Sequence, residues 1–221
     1  YFNANTPADQ TLWAKAAKDA VTLKKLGATA VWFPPATKGA AGKEDMGYAP
    51  YDLYDLGEFN QKGSVGTRYG TKKEYLEAID AMKAQGINVY ADIAVRQKLG
   101  ADSVEKVTAA DFNAKDIPQM IGNKKIVGAL SKFTFAGRRS KYSKFKWNWN
   151  HFAGIDWQQD DFKKRVCELS GMTEEEAEKK YKLSKYDYII GSELDLYNQE
   201  VYDELMAWAK WYEDVTGVDG F

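Results

Sequence analysis

Apolar residues at Leu12, Trp13, Ala16, Ala20, Leu23 and Leu26 recur at three- and four-residue steps, the spacing of one helix face, and Gly27 behind them is a natural stop. Ahead of that face, Thr6-Pro7-Ala8-Asp9 offers a turn with Asp9 as candidate N-cap. A short strand is expected at Tyr1-Phe2-Asn3 and another from Ala28 to Phe33, where Pro34-Pro35 removes two ladder donors and ends it. A second helix opens at the capping box Thr71-Lys72-Lys73-Glu74 and carries Tyr75, Leu76, Ile79 and Met82 on one face before Gly86. The run from Gly86 to Lys98 reads as a parallel strand buried on both faces, because it is rich in Ile and Val and too short for a standing helix. Asp92 is the exception within it. A carboxylate there needs a partner, so it marks either a functional site or an internal ion pair, with Arg96 four residues on as the partner at hand.

The order strand, helix, strand, helix, strand implies right-handed crossovers and a parallel sheet. The next crossover helix is late: Val201, Leu205, Trp208, Tyr212 and Val215 form its apolar face and Gly217 its stop. Roughly a hundred residues separate Gln97 from Asn198, too many for a bare loop. They are expected to form an inserted domain holding the short strand Lys132-Phe133-Thr134-Phe135, the aromatic tract Phe145 to Phe152 and two charged helices. Those helices are placed at about Asp160 to Leu169 and about Glu174 to Lys182, the second opened by the capping box Thr173-x-x-Glu176. The tract is either the domain's own small core or an aromatic platform. Met46 to Phe59 packs aromatics and acids too densely for a linker and reads as an ordered loop near a site. Val218-Asp219-Gly220-Phe221 looks like the opening of a further strand.

Charge narrows the function classes. With 31 basic and 32 acidic residues among 221, the chain advertises neither nucleic acid nor an anionic membrane as partner. It holds no window of about 18 or more apolar residues and no basic-then-apolar leader. Its opening on Tyr1-Phe2 without a Met suggests part of something longer. Cys167 is the only cysteine, which excludes an intramolecular disulfide and a thiolate-cluster metal site, and His151 is the only histidine, which excludes a His-rich zinc site.

Taken in order, Val31-Trp32-Phe33-Pro34-Pro35, then Gly47-Tyr48-Ala49-Pro50-Tyr51-Asp52-Leu53-Tyr54-Asp55-Leu56-Gly57-Glu58-Phe59, then Tyr69-Gly70-Thr71-Lys72 resemble the α-amylase family of glycoside hydrolases, in its bacterial liquefying branch. Val89-Tyr90-Ala91-Asp92, Phe145-Lys146-Trp147, Asp156-Trp157, Tyr186-Asp187-Tyr188 and Asp219-Gly220-Phe221 extend the resemblance over nearly the whole chain. It implies an α/β fold: the first half, strands one to four, of a (β/α)8 TIM barrel, with the family's domain B inserted after strand three. The boundaries are then 1–96 for strands one to three with their helices, 97–197 for domain B, and 198–221 for helix three and the start of strand four. The family hydrolyses α-1,4-glucans with retention, through an Asp on strand four, a Glu on strand five and an Asp on strand seven. This chain stops at Phe221, short of the first of them. A retaining mechanism needs two carboxyl groups about 5 Å apart, so the chain is expected to be non-catalytic by itself.

The resemblance makes Tyr48 the aromatic that stacks on a sugar ring, although a loop-packing tyrosine would read the same, and Asp92 the family's cleft aspartate. Departures lie beside these matches. Where the family has Asn-His at the end of strand three, this chain has Arg96-Gln97, so the sugar-binding imidazole becomes Gln97. The first strand's Glu-Trp is replaced by Asn3-Ala4. Of the family's calcium positions, Arg96 replaces an Asn, Ala153 an Asp, and Glu193 is one methylene longer than the usual Asp, while Asp187 and Asp195 persist. No cofactor is expected: calcium belongs to the family and is expected to be lost here, with the Arg96 guanidinium reaching Asp187, Glu193 or Asp195 in its stead. Two functions remain open, part of an α-glucan hydrolase or a non-catalytic relative that binds glucan or serves structure and assembly. An α-glucan, the remainder of a longer chain or partner copies are the expected partners, with no nucleic acid and no membrane.

Overall fold

The computed structural model describes residues 6–113, 119–155, 165–167 and 191–221, the side chains of 110–124 and 165–167 aside. The expected strand at Tyr1-Phe2-Asn3, the helix at Glu174 to Lys182 and Asp187 lie outside the described residues. The chain divides into two compact units. One is built from Tyr1–Val95, Phe135–Phe145 and Glu204–Phe221, the other from Arg96–Thr134 and Lys146–Asp203.

The first unit opens with helix α1 (Leu12–Lys25), which buries Leu12, Trp13, Ala16 and Ala20. Asp9 is not its N-cap. Thr11 holds that position without a side-chain cap, and the Asp9 carboxylate accepts from the Thr11 amide (3.1 Å) and hydroxyl (2.8 Å), closing a turn ahead of the helix. Leu26, expected on the apolar face, is the exposed C-cap, and the chain turns over at Gly27 with φ +89°. Strand β1 (Ala30–Phe33) stops at the two prolines, as their missing donors require. The loop beyond it folds on itself through β2 (Lys38–Gly39) and β3 (Pro50–Asp52), paired antiparallel. Helix α2 (Lys72–Ala84) begins at the expected capping box: the Glu74 carboxylate accepts from the Thr71 amide at 2.8 Å, and the Thr71 hydroxyl accepts from the Glu74 amide.

Strand β4 (Asn88–Ala91) lies parallel to β1, from Ala30 opposite Asn88 to Phe33 opposite Ala91. It is far shorter than the expected run from Gly86 to Lys98, and it is not buried on both faces. Val31, Phe33, Val89 and Ala91 are buried in the cluster that holds residues of α1 and α2, whereas Trp32 is 59% and Tyr90 41% exposed on the opposite face. The apolar run is continuous in sequence because a parallel strand can be covered twice, yet here the second row of side chains is partly exposed. The Asp219 amide donates to Val89 O (2.8 Å) and the Ala91 amide to Gly220 O (3.0 Å), so the expected last strand begins beside β4. Trp13 centres the core, with ring centroids 5.3 Å from Phe33, 5.4 Å from Tyr69 and 4.8 Å from Tyr75. The last helix, α3 (Gln199–Thr216), joins this core through Tyr212, whose hydroxyl meets that of Tyr75 at 2.8 Å, and through Trp208, whose indole donates to Leu53 O at 2.8 Å.

The second unit is an antiparallel sheet of strands β5 (Gln97–Lys98), β6 (Ser103–Asn113), β7 (Gln119–Lys132), β8 (Phe152–Ile155), β9 (Arg165–Cys167) and β10 (Ser192–Leu194), in the order β5-β10-β8-β9-β6-β7. Two expectations are corrected here. Arg165–Cys167, placed in a charged helix, is a strand held between β6 and β8, where backbone pairing on two sides overrides helix propensity. Of the strand placed at Lys132 to Phe135 only Lys132 is in a strand, as the last residue of the longer β7; beyond it Phe133 makes a single bridge to Trp147, and Phe135 turns away at φ +53°. The aromatic tract serves as core. Trp147, His151 and Phe152 are buried, with Phe133 and Trp147 packed on Phe152 at 5.8 and 5.9 Å. No helix among the described residues is long and apolar enough to cross a membrane.

Candidate functional site

Strands β1 and β4 end side by side, and the Asp92 amide donates to Phe33 O at 2.9 Å, so Asp92 leaves the sheet at its C-terminal edge. Expected inside a buried strand, this carboxylate instead stands half-buried one residue past the end of one. Above it the loop before β3 is fastened residue by residue. Asp45 accepts from the amides of Gly47 (2.8 Å) and Ala49 (3.4 Å), and the Tyr69 hydroxyl donates to Met46 O (2.9 Å). Gly47 sits at φ +98° against Pro35, where a Cβ would come within 2.6 Å of the ring, so only glycine fits. Tyr48 is thereby held from both sides with its side chain 40% exposed, and its hydroxyl donates to Asp92 Oδ2 at 2.5 Å. Burial and the neighbouring Asp92 charge raise the phenol's pKa, which keeps the hydroxyl a donor. An exposed aromatic ring beside a carboxylate acceptor suits a polyol ring, which offers a C–H face and hydroxyl donors together.

In the second unit the remaining candidates gather on β5, β10 and β8. The Arg96 Nε and Nη2 both donate to Glu193 Oε1, at 3.1 and 2.6 Å, while the Leu194 amide donates to Arg96 O at 2.9 Å. Gln97 pairs with Glu193 across the sheet and is half-buried. Ala153 precedes Gly154, the residue of β8 opposite Glu193. Asp195 is buried, and its Oδ1 accepts from the Tyr197 amide at 3.1 Å. These residues do not fit calcium, which takes six or more oxygens. A guanidinium already sits on the Glu193 carboxylate, the Ala153 side chain has no ligand atom, and the described residues hold no group of three or more His, Cys, Asp or Glu side chains placed for a metal.

Sequence reasoning missed the buried charges that support the loop carrying Tyr48. Lys38, Asp52, Asp55 and Arg138 are all fully buried. The Arg138 Nε donates to Asp52 Oδ2 at 2.8 Å, and its Nη1 to the carbonyls of Lys141 and Ser143 at 2.5 and 2.7 Å. Gln61 bridges Asp52 and Asp55 at 3.0 Å each. Asp55 also accepts from the amides of Gly57, Glu58 and Phe59. Two acids set three apart in the apolar stretch Tyr51 to Leu56 carry a legible signal, since such carboxylates need partners. Arg138 carries none: Gly137-Arg138-Arg139-Ser140 reads as a solvated turn.

Comparison with known proteins gives a consistent answer. No family model matches the chain. An α-amylase of Geobacillus stearothermophilus is 46% identical over 222 residues, all of this chain and 40% of that protein. A glucan 1,4-alpha-maltohexaosidase of Bacillus sp. (strain 707) is 41% identical, and an α-amylase of Bacillus licheniformis 40% identical, each over all of this chain and 43% of their own length. Among solved structures, a family GH13_31 enzyme superposes with a TM-score of 0.50 at 13% identity, over 99% of this chain and 33% of that one, which bears on fold alone. The chain thus spans less than half the length of these relatives. Matched from end to end by such relatives, it belongs to the α-amylase family.

Proposed function

We propose that this chain is the α-glucan-binding portion of an α-amylase-like protein, with Tyr48 and Asp92 as sugar contacts at the C-terminal ends of two parallel strands, and that by itself it does no hydrolysis. The observation that carries the reading is the Tyr48 to Asp92 hydrogen bond at a strand-end edge, beneath a half-exposed ring. Chemistry in barrels of alternating strands and helices sits at that edge. In this reading the first unit is the opening half of a (β/α)8 barrel and the second is a domain inserted after its third strand.

Titration of the chain with maltoheptaose tests the proposal. Y48A is expected to weaken binding roughly tenfold, about 1.4 kcal/mol, and D92N to weaken it while leaving the melting temperature nearly unchanged. Binding indifferent to both changes would overturn the site. Reducing ends released from soluble starch by the purified chain, above a buffer blank, would overturn the absence of hydrolysis.

A second reading, a relative kept for structure and assembly, draws on the Arg96 to Glu193 pair, in which the strand-three end serves the sheet. It predicts no maltoheptaose binding at all.

A further inference from the structure

The Lys38 side chain is fully buried, and its ammonium is ringed by oxygens. Val65 O lies at 2.5 Å, Ser64 O at 2.7 Å, Phe59 O at 3.2 Å, Gly66 O at 3.4 Å and Asp55 Oδ2 at 3.6 Å. An ammonium has three N–H donors, so four carbonyls and a carboxylate outnumber them. An oxygen shell richer than the donors it receives is addressed to charge as much as to hydrogen-bond direction. Rings of backbone carbonyls take the place of a hydration shell around potassium in the same manner. The shell is built by the backbone. Four of its oxygens come from the loop Phe59 to Gly66, which closes through reciprocal amide-to-carbonyl bonds between Gln61 and Ser64 at 3.1 and 3.2 Å, with Lys62 and Gly63 at positive φ. The Ser64 hydroxyl turns back to Gly66 O at 2.8 Å.

We propose that Lys38 is a tethered cation filling a site that the fold builds for a monovalent ion of ammonium or potassium size, and that this ion orders the loop from Phe59 to Gly66. Burial alone works against both charges, pushing the lysine's pKa down and that of Asp55 up. The carbonyls around one and the three amides with Gln61 around the other supply what water would otherwise give. A neutral amine would leave the carbonyls with nothing to balance and Asp55 without its counter-charge. Monovalent preference follows from the make-up of the shell: four neutral carbonyls and one carboxylate balance a single positive charge, and Ser64 O and Phe59 O stand at ammonium-to-oxygen hydrogen-bond distances.

The test uses the chain as it stands and its K38A variant. K38A opens the shell and is expected to melt well below the parent in sodium or tetramethylammonium chloride. Ammonium, methylammonium or potassium chloride at matched ionic strength should restore most of the lost melting temperature, with the parent indifferent to the choice of cation. Equal melting of K38A in all five salts would overturn the proposal. Should K38A fail to fold in every salt, the parent decides. In lysine-labelled protein an ammonium resonance slowed in exchange by burial, and absent from K38R, is expected at neutral pH, whereas the shift of a neutral amine at Lys38 would overturn it.

Discussion

Arg138 occupies a position where charge cannot be given up singly. Its guanidinium satisfies Asp52 and two carbonyls while stacking 5.2 Å from the Tyr54 ring and 5.0 Å from that of Phe135. Replacing it with methionine keeps the bulk but leaves the Asp52 charge buried and short of a partner. R138M is therefore expected to cost about 3–5 kcal/mol in urea unfolding, and a loss below about 1 kcal/mol would refute the role. Glu58 shows the half-buried counterpart. Burial would raise its pKa, but hydrogen bonds from Lys141, Lys72 and Tyr142 bring it from an ordinary 4.5 down to about 2. Its folded form thus holds its proton more weakly than the unfolded chain does. The stability it contributes is full above about pH 4.5 and lost as pH falls toward 2. E58Q should flatten that part of the acid unfolding curve relative to the parent; superimposable curves would contradict the assignment. Neither cluster was foreseen, because both join residues far apart in sequence, Asp52 to Arg138 and Glu58 to Lys141, and single-chain patterning carries no such information.

Among the elements, those with a strong local period were legible. Helices α1, α2 and α3 follow their apolar faces, and Thr71 with Glu74 marked its helix start from two residues alone. Strands of the second unit were not. β6 carries Glu105 and Lys106 beside Val104 and Val107, a pattern no stronger than that of a solvated loop, and its pairing with the long β7 is fixed only by the partner strand. Arg165–Cys167 lay within a charge-rich stretch with helical composition and became a strand between two others. The Arg96 to Glu193 contact, by contrast, was among the expected ones, because the family resemblance placed Arg96 and the acids Asp187, Glu193 and Asp195 together at its calcium positions. At this scale an ion pair between Arg96, the residue before β5, and Glu193 of β10 adds to the backbone pairing of the two strands and engages one of the two described acids, Glu193 and Asp195, at the positions where the resemblance places calcium. Excess chelator is expected to leave the melting temperature unchanged, and added calcium to leave it unchanged as well. A chelator-induced drop, or calcium retained through gel filtration, would refute this.

For the molecule as a whole, the telling feature is the exposure of Trp32 and Tyr90 on one face of the parallel strands. Trp32 and Tyr90 point away from the core that holds Val31, Phe33, Val89 and Ala91, and Phe221, 52% exposed, stacks on Trp208 at 6.0 Å. A sheet of alternating strands and helices normally has both faces covered, and aromatic rows left in water favour association. The relatives are more than twice as long as this chain, so in the whole protein further strands are proposed to cover that row. The chain alone is then expected to associate, with sedimentation showing species larger than the monomer that grow with concentration. W32S combined with Y90S should shift that equilibrium toward monomer without lowering the melting temperature, since both side chains lie outside the core. A parent chain that stays a compact monomer at all concentrations and unfolds in one cooperative step would show that the face needs no cover.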